Sequence, residues 1–169
     1  MADYAVSAVQ LTPAQQAVLK ADILADPVLA GWAATGAMAQ EIAEAYNAAA
    51  TPAWYVWRTA VTADEWRDAI LNGGGAAQLD NLTVSKRDSL LWACSGVLDT
   101  SKSQVRDALK NFCGSQNQLK AALAAIQKRT ATRAEKLFST GTGSAGSPAT
   151  MTFSGSINYQ DVEAALALP

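Results

Sequence analysis

The chain has 169 residues and a formal charge of −2 from 13 basic and 15 acidic side chains; half of it is apolar, only 7% is aromatic, and histidine is absent. A chain of this length can bury roughly 70% of its unfolded surface in one fold, and an apolar half dominated by alanine favours closely packed helices over bulky sheet layers. Without histidine, an imidazole general base, a Ser-His-Asp triad and the His-containing zinc sites are excluded.

The expected fold class is mainly α, a helical bundle of about five to seven helices with a C-terminal β-hairpin or extended arm. Met1 to Gln10 has neither a basic n-region nor an apolar h-region, and no 18-residue apolar stretch follows, so a soluble, cytoplasmic chain with no membrane segment is expected. Thr12-Pro13-Ala14-Gln15 predicts a helix start with a hydroxyl cap, a proline at the first helical position and a Gln reaching back. That helix stops before Pro27, with Val18, Leu19, Ile23 and Leu24 on its inner face. Gly36 to Ala50 predicts a second helix carrying Met38, Ile42 and Tyr46, and Thr51-Pro52 a third that holds Trp54, Tyr55 and Trp57.

Thr62-Ala63-Asp64-Glu65 is a complete capping box, with Val61 and Trp66 placed as a hydrophobic staple, and Asn72 to Gly75 ends that helix. Thr83 predicts the cap of the next, whose apolar band is Leu90, Leu91, Cys94, Val97 and Leu98. Ser101-Lys102-Ser103-Gln104 repeats the capping pattern ahead of Val105, Leu109 and Phe112. From Ser115 a last long helix is expected to reach Leu137 or Phe138, with Lys128, Arg129, Arg133 and Lys136 in its C-terminal half. Residues 1–138 then form a helical body, 139–149 a Gly/Ser/Thr linker, and 150–169 a C-terminal arm, one domain overall. Met151 and Phe153 alternate with polar residues, Gly155 offers a turn toward Ile157 and Tyr159, and Asn158 or Tyr159 can open a short final helix. The helical body is expected to fold without residues 147–169.

Charge is unevenly distributed: 5 basic and 11 acidic residues from Met1 to Ser101, 8 and 2 from Lys102 to Lys136, then only Asp161 and Glu163. Such a dipolar chain suits head-to-tail packing of copies, docking on an acidic partner, or separate solvated helix faces. Cys94 and Cys113 lie in apolar helical surroundings and are expected to be reduced and buried. Gly141 to Gly146 matches the spacing of a dinucleotide fingerprint, yet follows a helix where the chemistry requires a strand, and therefore belongs to a linker. Asp64, Glu65 and Asp68, and Glu41 with Glu44, suit helix dipoles and solvated turns rather than a paired-carboxylate site. No catalytic, cofactor or metal residues are assigned. The basic set Lys120, Lys128, Arg129, Arg133 and Lys136 is the candidate for phosphate contact, with packaged or free DNA as the ligand. The tryptophans are expected in the core.

Three strings carry a family likeness: Leu11-Thr12-Pro13-Ala14-Gln15-Gln16, the Tyr46-Asn47 to Trp57-Arg58-Thr59 run, and Ala131-Thr132-Arg133-Ala134-Glu135-Lys136-Leu137-Phe138 leading to Ile157-Asn158-Tyr159-Gln160-Asp161-Val162. The set resembles small virion structural proteins of tailed bacteriophages and is most similar to head-tail connector (adaptor) proteins, although longer than many of them. That resemblance implies a non-enzymatic neck protein, assembled in host cytoplasm, that forms a ring of identical subunits at the portal vertex and contacts portal protein and a downstream neck or tail protein. Other neck, tail-completion or capsid-associated roles, or a DNA-binding module using the basic 120–136 helix, are the alternatives. The residues expected to meet partners are Lys128, Arg129, Arg133, Lys136, Met151, Phe153, Ile157 and Tyr159.

Overall fold

In a computed structural model, residues 9–35 and 38–169 are described. Most of the N-terminal segment Met1 to Gln10, and Gly36 at the expected start of the second helix, lie outside them. In chain order the elements are α1 (Pro13–Ala25), α2 (Pro27–Ala33), α3 (Ala39–Asn47), β1 (Tyr55–Trp57), α4 (Ala63–Asn72), α5 (Ala76–Leu79), α6 (Val84–Ala93), α7 (Ser103–Cys113), α8 (Asn117–Ile126), β2 (Lys128–Thr130), α9 (Arg133–Leu137), β3 (Ser139–Thr140), β4 (Thr150–Met151) and α10 (Tyr159–Leu166). The chain is mainly helical, with a short hairpin pairing β3 and β4. It divides into two compact units: the first takes the chain up to Trp54, Thr130–Gly143 and Met151–Pro169, and the second takes Tyr55–Arg129 and Ser144–Thr150.

The first unit is built on α1, α3 and α10. Leu19, Ile23, Ile42, Tyr46, Val162 and Ala165 are fully buried in one cluster, joined by Ile157. On α1 only Leu19 and Ile23 of the four expected residues turn inward; Val18 and Leu24 are exposed. Thr12 caps α1 in a capping box with Gln15, and Asn158 caps α10 in another with Asp161. Asp161 is wholly buried. Its Oδ1 accepts the amides of Gln10 (2.7 Å) and Leu11 (3.0 Å), and its Oδ2 accepts the Asn158 amide at 3.0 Å. The Asn47 amide group clasps the Ile157 backbone at both N–H and C=O, at 2.9 and 2.8 Å.

Residues 150–169 are therefore not an arm held away from a self-sufficient body. Val162 and Ala165 lie one turn apart on α10, Ile157 just precedes its cap, and all three are buried in the same cluster as the α1 and α3 side chains, so burial outweighs the entropy of ordering them. Phe153 adds an edge-on ring contact with Phe138 at 5.5 Å between centroids. The hairpin uses Ser139–Thr140 against Thr150–Met151, with Thr152 donating to the Phe138 carbonyl at 2.9 Å, in place of a turn at Gly155. Part of the 139–149 segment is thus strand, and the fingerprint-like glycines form the hairpin loop.

The second unit holds α4 to α8 around Val61, Trp66, Leu90, Leu119 and Leu123, all essentially inaccessible. Its capping box is as expected: the Thr62 hydroxyl accepts the Glu65 amide while the Glu65 carboxylate accepts the Thr62 amide at 2.9 Å. The Thr83 hydroxyl caps α6. At α7 the expected hydroxyl cap is absent; Lys102 is the N-cap, and Asp99 takes the Ser101 amide and hydroxyl instead.

One expected helix is replaced by a strand, and another is interrupted by one. Tyr55-Val56-Trp57 is aromatic and β-branched, and its backbone is paired on both sides, with the Trp57 amide donating to the Ala149 carbonyl and the Ala149 amide to the Tyr55 carbonyl at one edge, and the Arg58 amide donating to the Gln127 carbonyl at the other. The long helix to Phe138 breaks after α8 because Lys128–Thr130 pairs with β1, and because Thr132 with Glu135 forms a capping box that starts α9 afresh.

Both cysteines are buried free thiols in the second unit. Burial, and then the neighbouring Cys113, push the Cys94 thiol up to about 12, and burial also raises Cys113. With so little thiolate at neutral pH, the folded protein is expected to leave Ellman's reagent colourless at pH ~8 and to release two equivalents only on unfolding in guanidinium. Rapid native-state labelling would contradict this placement.

Candidate interaction surfaces

In the first unit α1, α3, α9 and the segment 49–54 line an open groove of about 740 Å³ whose polar wall is Asp22, Asp26, Arg133 and Lys136. Arg133 spans it: one guanidinium nitrogen meets Asp22 and the other Asp26, both at 3.0 Å, and the guanidinium carbon lies 4.6 Å from the Tyr46 ring centroid. The Tyr46 hydroxyl donates to Asp22 at 2.5 Å. Burial of the ring, then the Asp22 carboxylate, raise the phenol pKa. The Lys136 ammonium lies 5.4 Å from the Trp54 centroid. Gly143, at φ +61°, brings its backbone so close to that indole that a Cβ there would sit 2.1 Å from two ring carbons.

This wall is charge-balanced and internally bonded. Arg133 is committed to two carboxylates, and the indole of Trp54 is covered by backbone, so neither offers a phosphate site or a base-stacking platform. The geometry ties four helices together. The Leu29 amide above all, with the Arg133 guanidinium and the Val28 amide, holds the Asp26 carboxyl below its ordinary value of 3.8 against the opposing effect of desolvation. In the second unit the Thr62 amide and Arg58 do the same to Glu65, ordinarily 4.5.

A carboxyl whose folded pKa lies below its unfolded one stabilises the fold fully above the unfolded value, and loses that effect as pH falls through the folded value. Urea midpoints should therefore be flat near neutrality and fall below pH ~4.5, and Asp26→Asn should flatten the lower part of that fall. An unchanged acid limb in that variant would remove Asp26 from the account.

The residues expected to meet partners are dispersed. Lys128 and Arg129 lie on β2, with the Lys128 ammonium donating to the Ala145 carbonyl at 2.5 Å, while Arg133 and Lys136 lie on α9. They do not form one helical face, because the helix expected to carry them is interrupted. Met151 is half-buried in β4, Phe153 packs on Phe138, Ile157 is core, and Tyr159 is 43% exposed at the start of α10.

The second unit carries what sequence reasoning missed. Trp92, expected with the other tryptophans in the core, is 80% exposed, and on the same helix Val84 and Leu91 are exposed as well, as is Val97 beyond its end. The signal was present. Leu90 and Cys94 face inward, and position 92 is two residues from each, about 200° around the helix. A second feature is an apolar groove of about 290 Å³ between α7 and α8, floored by Leu109, Cys113 and Leu123 and edged by Ala121, Ala124 and Lys120.

Among the described residues no group of three or more His, Cys, Asp or Glu side chains is placed to hold a metal, and no helix is long and apolar enough to cross a membrane. Compared with protein families, with characterised proteins and with solved structures, the chain matches none.

Proposed function

We propose that this chain is a virion structural protein of the head-tail connector type, whose copies assemble as a ring at the portal vertex and join head to tail. The likeness of its sequence landmarks to tailed-phage assembly proteins supports the virion setting. The observation that carries an assembly role is the exposed apolar surface of α6, centred on Trp92, since a tryptophan in water on an otherwise well-packed unit is the usual anchor of a protein interface. No reaction is assigned to the chain: the titratable cluster around Arg133 is spent on internal ion pairs. A DNA-binding role is not favoured, because Arg133 is neutralised by Asp22 and Asp26.

The proposal is tested in particles. Mass spectrometry of purified virions should find the chain in a small, fixed copy number, and antibody labelling should place it at the neck. Cells infected with a phage lacking it should accumulate filled heads and separate tails. Absence from purified virions, or normal tailed particles in its absence, would overturn the proposal.

A further inference from the structure

We propose that copies of this chain bind one another through a heterologous contact in which Trp92 of one copy enters the α7–α8 groove of the next, with Asp88 of the first paired to Lys120 of the second. This deepens the assembly reading above and rests on it.

Knob and groove belong to the same compact unit but are different patches of it. Trp92 projects from the side of α6 opposite its buried Leu90 and is 80% exposed. The groove's surface is mostly apolar, with Lys110, Lys120 and Gln127 as its polar lining, and at about 290 Å³ it has room for an indole ring, an anchor that buries about 150–250 Å². It is open because Ala121 and Ala124 present only methyl groups at its rim, where larger residues would close it.

Charge selects the occupant. Asp88 stands one helical turn before Trp92 on α6, and Lys120 stands one turn before Ala124 on α8. Neither Asp88 nor Lys120 makes an ion pair among the described residues. Laying α6 of one copy parallel to α8 of the next, with the indole against Ala124, brings the Asp88 carboxylate over the Lys120 ammonium, because residues four apart on a helix are neighbours on one face. The hydrophobic anchor and the ion pair thus share one register, which a partner lacking an acidic residue one turn before its aromatic would not satisfy.

Such a contact uses two different patches on each copy, so every subunit can be both donor and acceptor. It generates a closed ring if the rotation per copy divides a full turn, and a filament otherwise.

The test is sedimentation of the full chain and of variants at exposed positions, with circular dichroism as the check on folding. Wild type should self-associate in the micromolar range. Trp92→Ser or Ala124→Glu should weaken association by about 30-fold or more. Asp88→Lys and Lys120→Asp should each weaken it by about tenfold, and the double variant should recover it. Mixing the Trp92→Ser chain, which keeps its groove, with the Ala124→Glu chain, which keeps its knob, should give dimers that grow no further.

Wild type that stays monomeric at hundreds of micromolar, self-association indifferent to Trp92→Ser, or a mixture that stays monomeric would each overturn the contact. The broader assembly reading is judged separately by virion composition: a Trp92→Ser chain still incorporated at normal copy number into tailed particles would remove this contact and leave that reading standing.

Discussion

Replacing Asp161 by Ala should destabilise the first unit by roughly 3–5 kcal/mol, the combined cost of leaving one buried and two part-buried amides without the carboxylate that accepts them. The side chain is fully inaccessible, and it serves two parts of the chain far apart in sequence: Gln10 and Leu11 ahead of α1, and Asn158 at the cap of α10. Water cannot replace it at Leu11, whose own exposure is 4%. Asp161→Asn keeps one acceptor oxygen but turns an NH₂ group toward an amide donor, so it should recover only part of the loss. Urea unfolding followed by far-ultraviolet dichroism measures the change. Hydrogen exchange at the Leu11 and Asn158 amides should accelerate before the rest of the unit is affected. An Asp161→Ala protein as stable as wild type would mean that these amides find other acceptors.

Trp66→Ala should cost a similar amount, roughly 3–5 kcal/mol, in the second unit. Trp66 has no accessible surface and packs in the cluster of Val61, Ile70, Leu90 and Leu119. Its Nε1–H donates to the Val61 carbonyl at 3.2 Å, but that carbonyl also accepts the Leu98 amide at 3.0 Å. The carbonyl therefore stays satisfied when the indole is removed, and the loss is one of packing rather than of a stranded polar group. Trp66→Phe, which refills most of the space, should restore more than half of the stability. Equal destabilisation by both substitutions would show that the hydrogen bond, not the volume, matters.

Short-range signals in the sequence were the ones that could be read. The capping boxes at Thr12 and Thr62, the hydroxyl cap at Thr83 and the Asn158 cap each depend on contacts within three residues, and each is present. Helix faces were half legible: periodicity selects Leu19 and Ile23, but it cannot say that Val18 and Leu24, one position away, are left exposed. The strands were hidden because Tyr55–Trp57 is extended only by pairing with segments some 70 and 90 residues further on. The break after Ile126 was legible in part, since Thr132 and Glu135 stand at capping-box spacing inside what otherwise scans as helix. The basic residues share a side only in a continuous helix. Nothing local distinguishes Arg133 as a half-buried strut: its partners Asp22 and Asp26 are more than a hundred positions away. The α6 anchor could have been found by asking which tryptophan falls off its helix's apolar stripe.

The order in which the segments are laid down has a consequence for synthesis. One compact unit is interrupted by the other, and its core is closed by Ile157, Val162 and Ala165. As the polypeptide leaves the ribosome, α4 to α8 can consolidate while α1 to α3 wait, half-covered, for α10 to be translated. A nascent chain stopped at Thr150, which completes the second unit and lacks α10, should accordingly show a protease-resistant middle flanked by a digestible front. The early helices of this protein become native only when its last one arrives.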